Sequence, residues 1–244
     1  MLKAALRVLA TATLATTALA PTAASASTTA PIPAPASAPA LAPALDTGPC
    51  GPVTEYRSWD WWRTTTNPII ADSVRENAVS ERWQWRNDDN TLWRGDTREN
   101  VEDLFDEGFT PRGDAMVPLA EYIVKGGGQN SAHVSTTCEE WVAQKFATYG
   151  TAKTGWVYEI DAPGGIDVNA TAAVNRYESP YLWNKEIDFP GGIEGRYIKK
   201  ACKYHLTKTD PKTKVNTYDN LGCKTNKGFR PLTAEQPAAA LAAE

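Results

Sequence analysis

Along the chain, short apolar runs alternate with polar ones, and the period changes several times. Thr91-Leu92-Trp93-Arg94-Gly95-Asp96 alternates at every second residue and predicts a strand. Asn100 stands at the head of a short helix with Val101, Leu104 and Phe105 on one face and Gly108 at its end. A second helix is expected over 116–125, stopped by Gly126-Gly127-Gly128. His133-Val134-Ser135 reads as a short strand. Thr137 and Glu140 have capping-box spacing and open a third helix. Its expected inner side carries Cys138, Trp141, Val142, Phe146 and Tyr149, and Gly150 ends it. Gly155 to Asp161 predicts a strand with Trp156, Tyr158 and Ile160 on one face. Residues 163–182 read as loops and short turns, with Asn169-Ala170-Thr171 a glycosylation sequon in a eukaryotic source. Ile193 to Tyr204 predicts a further strand, and Lys214 to Tyr218 is placed to pair with it. Strands and helices mix without regular alternation and no repeat is visible, so the fold class is α+β.

The ends of the chain follow other rules. Lys3 and Arg7 precede an apolar stretch from Val8 to Ala20 that is too short to span a bilayer, and Ala24-Ser25-Ala26 is a small-residue cleavage site. Residues 1–26 read as a secretory signal peptide, so a secreted protein is expected. Residues 27–48 repeat Pro among Ala, Ser and Thr and predict a linker or propeptide. The folded domain is expected over 49–232, and 233–244 is an Ala-rich flexible tail. In an exported domain, the four cysteines favour two disulfides over free thiols. Three pairings exist. Cys202–Cys223 closes a local loop and Cys50–Cys138 staples the N-terminal arm to the core, and these two are favoured.

Charge sharpens the picture. The 244 residues carry a formal charge of −4. That overall acidity argues against a protein that coats DNA or membrane through bulk charge. The charge is uneven, however. Residues 27–194 hold 13 Lys+Arg against 25 Asp+Glu, whereas residues 195–230 hold ten Lys+Arg against two Asp. The basic segment fits two readings equally: a docking surface for phosphate, or a solvated hairpin whose lysines protect an edge strand. Two His, and four Cys without a Cys-x-x-Cys pair, argue against a dedicated metal site. No apolar run reaches the roughly 20 residues of a membrane span, so no stable membrane association is expected. A monomer is expected.

Three segments draw attention as chemistry: Arg94 within Leu92-Trp93-Arg94-Gly95-Asp96-Thr97-Arg98; Ser135-Thr136-Thr137; and Asn184-Lys185-Glu186 followed by Phe189-Pro190-Gly191-Gly192-Ile193. Taken singly, each also fits an ordinary structural role, as a salt-bridged Arg, a helix cap and a charged turn. There is no G-x-S-x-G elbow, no P-loop and no G-x-G-x-x-G, and neither His133 nor His205 has a Ser partner in motif context.

Together and in this order, the three segments resemble the mono-ADP-ribosyltransferase toxin family of the Arg, Ser-Thr-Ser, Gln/Glu-x-Glu class. The nearest likeness is to its pertussis-toxin-like, pierisin and scabin branch. His133-Val134-Ser135-Thr136-Thr137 is similar to the central Ser-Thr-Ser strand with one Ser-to-Thr change, and Trp183 to Ile193 resembles the catalytic Glu segment. The resemblance covers about residues 50–230. It implies two packed, mainly antiparallel sheets with flanking helices. It also implies NAD as co-substrate with no metal, cleavage of the nicotinamide–ribose bond, and transfer of ADP-ribose.

The resemblance assigns Arg94 to NAD phosphate and ribose, a task suited to a permanently charged, bidentate donor. Ser135 would orient Glu186, with Thr136 and Thr137 supporting it at the NAD-binding strand. Glu186 would stabilise the oxocarbenium-like ribose. Tyr181 and Trp183 would stack on a base or nicotinamide, or anchor their loop by burial. The family carries Gln or Glu where this chain has Asn184. Asn keeps the neutral amide that accompanies guanine acceptors but is one methylene shorter. The implied acceptor is guanine of DNA or of nucleotides. An NAD glycohydrolase and a protein-side-chain ADP-ribosyltransferase are alternatives on the same fold. From another class, the clusters Trp59, Trp61, Trp62 and Trp83, Trp85 suggest a glycan-binding module, although core packing explains them better.

Overall fold

The strand expected around Arg94 forms as β4 (Leu92–Asp96), and β6 (Thr154–Ile160) ladders against it, with Leu92 opposite Ile160 and Asp96 opposite Trp156. These coordinates are a computed structural model, which describes residues 47–55, 81–125, 130–151 and 153–230. The expected signal peptide, most of the linker, the tail, the Gly126-Gly127-Gly128 stop and the Trp59, Trp61, Trp62 cluster lie outside the described residues.

Eight further strands join the ladder. They are β1 (Thr47–Gly48), β2 (Gly51–Thr54), β3 (Trp85–Arg86), β5 (His133–Thr137), β7 (Ile166–Asp167), β8 (Glu186–Pro190), β9 (Ile198–Thr209) and β10 (Asn216–Thr225). The order is β1-β2-β3-β7-β8-β5-β4-β6-β9-β10, with every neighbouring pair antiparallel. The join between β4 and β5 is one pair, Trp93 opposite Thr137. The ladder is thus one continuous antiparallel order with two narrow joins, this one and that of β3 to β7 through Trp85 and Ile166. The linker expectation ends two residues late, since Thr47 and Gly48 already pair with Pro52 and Gly51.

Four helices flank the strands among the described residues. Helix α1 (Val101–Glu107) buries Val101 and Leu104. The Asn100 side chain makes no cap bond and turns to Asp103 instead. Helix α2 (Leu119–Lys125) starts three residues later than the expected 116. Pro118 explains this, because a proline pushes the residue before it out of the helical region. Helix α3 (Glu140–Ala147) contradicts the expected inner face. Trp141, Phe146 and Tyr149 are exposed, and Val142, Ala143 and Ala147 are buried. Two glycines of the sheet decide this. A Cβ on Gly95 would sit 2.1 Å from the Ala143 carbonyl oxygen, and one on Gly155 would sit 1.9 Å from that of Ala147. The helix backbone lies directly on the sheet, and only small side chains fit between.

The stretch 163–182 is not simply loop. Asp167 accepts a hydrogen bond from Ala170 N at 2.8 Å and caps helix α4 (Val168–Asn175). Its apolar residues are small, so the 3.6-residue period was faint. Ala170 and Thr171 are buried in this helix, which rules out the sequon reading as an exposed loop. The last strand pair also differs from expectation. Gly195–Tyr197 forms a 3-10 turn, so β9 begins at Ile198, while Ile193 bridges Phe109.

One core cluster lies around Leu92, Tyr158, Ile160, Ile187 and Phe189, with Phe109 edge-on to Tyr158 at 5.0 Å. A second gathers Trp83, Trp85, Leu119, Ile123 and Ile166. Trp83 and Trp85 are buried edge-to-face at 5.6 Å, so neither offers a face to a sugar. Disulfides join Cys50 to Cys138 and Cys202 to Cys223. Among the described residues, no helix is long and apolar enough to cross a membrane.

Candidate active site

Thr137 has Trp93 of β4 on one side and Glu186 of β8 on the other. This one residue of β5 brings Arg94 and Glu186 to a common cleft. The cleft has a volume of about 710 Å³, and its lining includes Arg94, Arg98, Arg112, Ser135, Asn184 and Glu186.

Arg94 donates through Nη1 to the Ser135 carbonyl oxygen, and its guanidinium carbon lies 5.0 Å from the centre of the Phe109 ring. Its Nε is sealed from solvent and has no acceptor. Burial lowers the Arg94 pKa from its usual value, and Asp96 opposes this. Across the cleft, Glu186 accepts a hydrogen bond from the Ser135 hydroxyl, while its Oε1 is buried without a partner. Burial pushes the Glu186 carboxyl up to about 7. Asp188 adds to the rise, and the Ser135 bond, His133 and Arg94 oppose it.

The single Ser135 hydroxyl proton goes to Glu186. The Tyr122 hydroxyl, 2.5 Å from Ser135 Oγ, must therefore be the donor in that contact. Burial raises the Tyr122 pKa, which keeps the phenol protonated for this task. Beneath lies a buried pair, His133 Nδ1 and Asp188 Oδ2 at 2.5 Å. His133 Nε2 is 2.8 Å from the Val117 carbonyl, which only accepts, so Nε2 carries a proton. Burial alone disfavours the imidazolium, yet Asp188 prevails and the His133 pKa is raised. The Tyr122 ring packs 4.7 Å from the His133 ring. Two hydrogen-bonded pairs thus back the Glu186 carboxylate, Tyr122 with Ser135 and His133 with Asp188, and they meet by ring packing rather than by a hydrogen bond.

Thr136 and Thr137 line the cleft, and their hydroxyls brace the strand as expected of supporting residues. Thr136 Oγ1 donates to the Ile187 carbonyl at 2.8 Å, and Thr137 Oγ1 donates to that of Asn184 at 2.6 Å. The first ties β5 to the Glu186 strand and the second ties it to the turn that precedes that strand. Thr137 also accepts from Glu139 N, the helix-capping residue is Glu139, and the expected capping box does not form. Asn184 is buried in a 3-10 turn (Leu182–Asn184), and its Oδ1 has no partner. Lys185 follows in the left-handed conformation, φ 44°, and reverses the chain into Glu186. Its carbonyl is held by Cys138 N at 3.3 Å and touched by Cys50 Sγ at 3.4 Å. The Cys50–Cys138 bridge therefore pins the turn that presents Asn184 and Glu186.

Of the two expected stacking residues, Tyr181 lines the cleft and Trp183 does not. Trp183 lies outside, stacked on Trp141 at 5.8 Å, with Lys145 Nζ 3.7 Å from its ring centre. No residue of the basic segment 195–230 lines the cleft.

The residues missed from sequence are Tyr122, His133, Asp188, Arg98 and Arg112. Strand periodicity could have found two of them. His133 is two positions before Ser135 and Asp188 two after Glu186, which puts each on its neighbour's face. Nothing local marks Tyr122.

Buried polar atoms need partners. Here a donor, Arg94 Nε, and two acceptors, Asn184 Oδ1 and Glu186 Oε1, wait in one cleft. An anionic ligand that also carries hydroxyl or amine donors fits them. NAD is such a ligand. Among the described residues, no group of three His, Cys, Asp or Glu side chains is arranged to hold a metal ion.

Known proteins resemble this chain in sequence and in fold. A family model described as Scabin-like matches residues 92–221. The guanine-specific ADP-ribosyl transferase of Streptomyces coelicolor is 30% identical over 151 residues, 60% of this chain. The match spans 64% of that relative's own length. Scabin toxin from Streptomyces scabies, solved in complex with NADH, superposes with a TM-score of 0.53 at 28% identity, covering 80% of this chain and 99% of that one. A guanine-specific ADP-ribosyltransferase solved with NADH and GDP gives 0.53 at 26% identity, covering 73% and 99%. The fold is the α+β fold of these ADP-ribosyltransferases.

Proposed function

The chain belongs to the Scabin-like family, and from that membership we propose that it is a secreted mono-ADP-ribosyltransferase that cleaves NAD and transfers ADP-ribose to guanine, in DNA or in nucleotides. The observation that carries this reading is the set of unpartnered buried atoms on Arg94, Asn184 and Glu186 around one cleft. The names of the relatives support it, since one is guanine-specific and another holds NADH with GDP.

Arg94 takes the NAD phosphates, and its fixed charge needs no proton transfer to act. Glu186, held by Ser135, accepts from the ribose 2′-hydroxyl. As the bond to nicotinamide breaks, nicotinamide leaves with the electron pair, and positive charge grows on the ribose. The Glu186 carboxylate, already held in place by Ser135, offsets that charge without having to reorganise. Asn184 Oδ1 accepts from the guanine edge and orients the nitrogen that attacks the ribose carbon. That nitrogen then releases its proton. Where no guanine is bound, water replaces it and the same site hydrolyses NAD. The exposed, cleft-lining Tyr181 favours this side activity, because it leaves the acceptor side open.

Two expected outcomes test the reading. Guanosine speeds nicotinamide release, whereas adenosine and cytidine do not; equal rates with all three would count against a guanine acceptor. Asn184→Ala leaves hydrolysis within a factor of about two. It lowers the transfer-to-hydrolysis ratio by roughly 10- to 100-fold, the worth of a lost hydrogen bond in a site built for it. Chromatography of nicotinamide, ADP-ribose and adduct measures that ratio.

The rate should also follow the ionisation of Glu186. For the free enzyme, kcat/KM for NAD rises as pH increases and levels off above the Glu186 pKa of about 7. The positive nicotinamide ring favours the carboxylate, so the limb in kcat lies at lower pH. A flat profile between pH 5 and 8 would contradict the assignment.

A further inference from the structure

The segment that carries the positive charge builds a two-stranded ribbon, β9 and β10, at the end of the ladder. Its base is bound to the body. Ile198 to His205 pair with β6, and Leu206 N bonds to the Lys153 carbonyl. Beyond Leu206 the two strands have only each other, with Thr217 opposite Lys208 and Asn216 opposite Thr209. Three residues of β9, two of β10 and the turn 210–215 project by themselves, roughly 10 Å along β9 before the turn is added. Residues 207–209 and 211–215 are all exposed. The projection buries no core, so packing does not account for it.

The lysines divide along this ribbon. At the base each has an acid. Lys199 and Lys200 both reach Glu159 at 2.7 Å, Lys203 reaches Glu99 at 2.8 Å and Lys224 reaches Glu102 at 2.7 Å. At the tip, Lys208, Lys212 and Lys214 form no ion pair among the described residues. The one acid of the turn, Asp210, is occupied by its own backbone. Its Oδ1 accepts from Lys212 N and Thr213 N, both at 2.8 Å. Cys202 and Cys223 are directly opposed in register and disulfide-bonded, which fastens the two strands at the base. The ribbon leaves the sheet at a defined end of the cleft, because Lys203 pairs with Trp156 and Trp156 with Asp96, which lines the cleft. Two strand spacings, about 10 Å, separate β4 from β9.

We propose that the β9–β10 tip is a docking arm for the phosphate backbone of a nucleic-acid acceptor, held by Lys208, Lys212 and Lys214 while a guanine enters the cleft. This rests on the guanine-transfer reading above. The charge is complementary, and lysine binds phosphate as a point charge without demanding a base sequence. The arm serves a polymer and is idle for a free nucleoside, so the two acceptors separate its effect from that of the cleft.

The test uses NAD with either a guanine-containing single-stranded oligonucleotide or guanosine. It compares the whole protein with a variant carrying Lys208→Gln, Lys212→Gln and Lys214→Asn, asparagine being chosen because residue 214 has φ 61°. The variant should lose about 10-fold or more in kcat/KM on the oligonucleotide at low salt, with guanosine turnover unchanged. The slope of log kcat/KM against log salt should fall by about 2, at roughly 0.7 per lost phosphate contact. Lys199→Gln with Lys203→Gln, which alters paired lysines, should leave that slope alone. An unchanged oligonucleotide rate, or equal loss on both acceptors, would overturn the docking arm. So would binding of phosphatidylserine vesicles that the variant loses while oligonucleotide turnover stays intact. If the unaltered protein makes no guanosine adduct, it is the guanine reading that fails.

Discussion

Glu186→Gln abolishes NAD turnover and at the same time stabilises the fold at pH 8. The loss of activity should be at least about 10²- to 10³-fold, the usual effect of removing one group that stabilises charge in the transition state. The gain in stability follows from linkage. The folded carboxyl has a pKa of about 7, above the 4.5 of an unperturbed Glu. The folded protein therefore binds this proton more tightly than the unfolded chain does. Stability is lost as pH rises from about 4.5 through about 7 and then levels off. At 1.36 kcal/mol per pKa unit, the loss at pH 8 is on the order of 3 kcal/mol. Glutamine has nearly the same shape and no charge, so it escapes that loss. Thermal melts should show the variant and the natural protein alike near pH 4. At pH 8 the variant should lead by about 5 °C or more. A variant that is inactive and less stable at pH 8 would mean that Glu186 holds the fold rather than serving chemistry.

Gly95→Ala should be strongly damaging for so small a change. The added methyl would stand 2.1 Å from the Ala143 carbonyl oxygen and 2.5 Å from Ala147 N. Both are backbone atoms, so no side chain can swing aside. Helix α3 must lift from β4, at a cost of about 3 kcal/mol or more. Val142, Ala143 and Phe146 line the cleft from that helix, so KM for NAD rises along with the loss of stability. A melt and a saturation curve on purified protein check both effects. A fully stable Gly95→Ala protein would show that the helix does not sit on the sheet as described.

The same glycines mark what sequence could and could not reveal. Leu92 to Asp96, Thr154 to Ile160 and the Ser135 strand were legible because their alternation is local. The face of α3 was not. Its aromatic side looks like a core stripe, yet Gly95 and Gly155, distant in the chain, admit only small residues beneath the helix. Helix α4 was missed because Ala and Thr give little contrast between faces. Arg94, Ser135, Asn184 and Glu186 came from an ordered motif, and the structure gathers all four at one cleft. Trp183 had the right neighbourhood but packs outside the cleft on Trp141, whereas the two threonines line it and brace the Glu186 segment. The basic segment was ambiguous from charge alone. Its meaning depends on which lysines find an acid, and those acids, Glu99, Glu102 and Glu159, come from other elements.

The central claim is transfer of ADP-ribose to guanine at the Glu186 cleft. The mass of the product formed from NAD and a panel of nucleosides tests it most directly. The account predicts a guanosine adduct heavier by one ADP-ribose unit, absent with adenosine, cytidine and thymidine, and absent with Glu186→Gln. Free ADP-ribose as the sole product with every nucleoside, or an adduct that persists in Glu186→Gln, would contradict it.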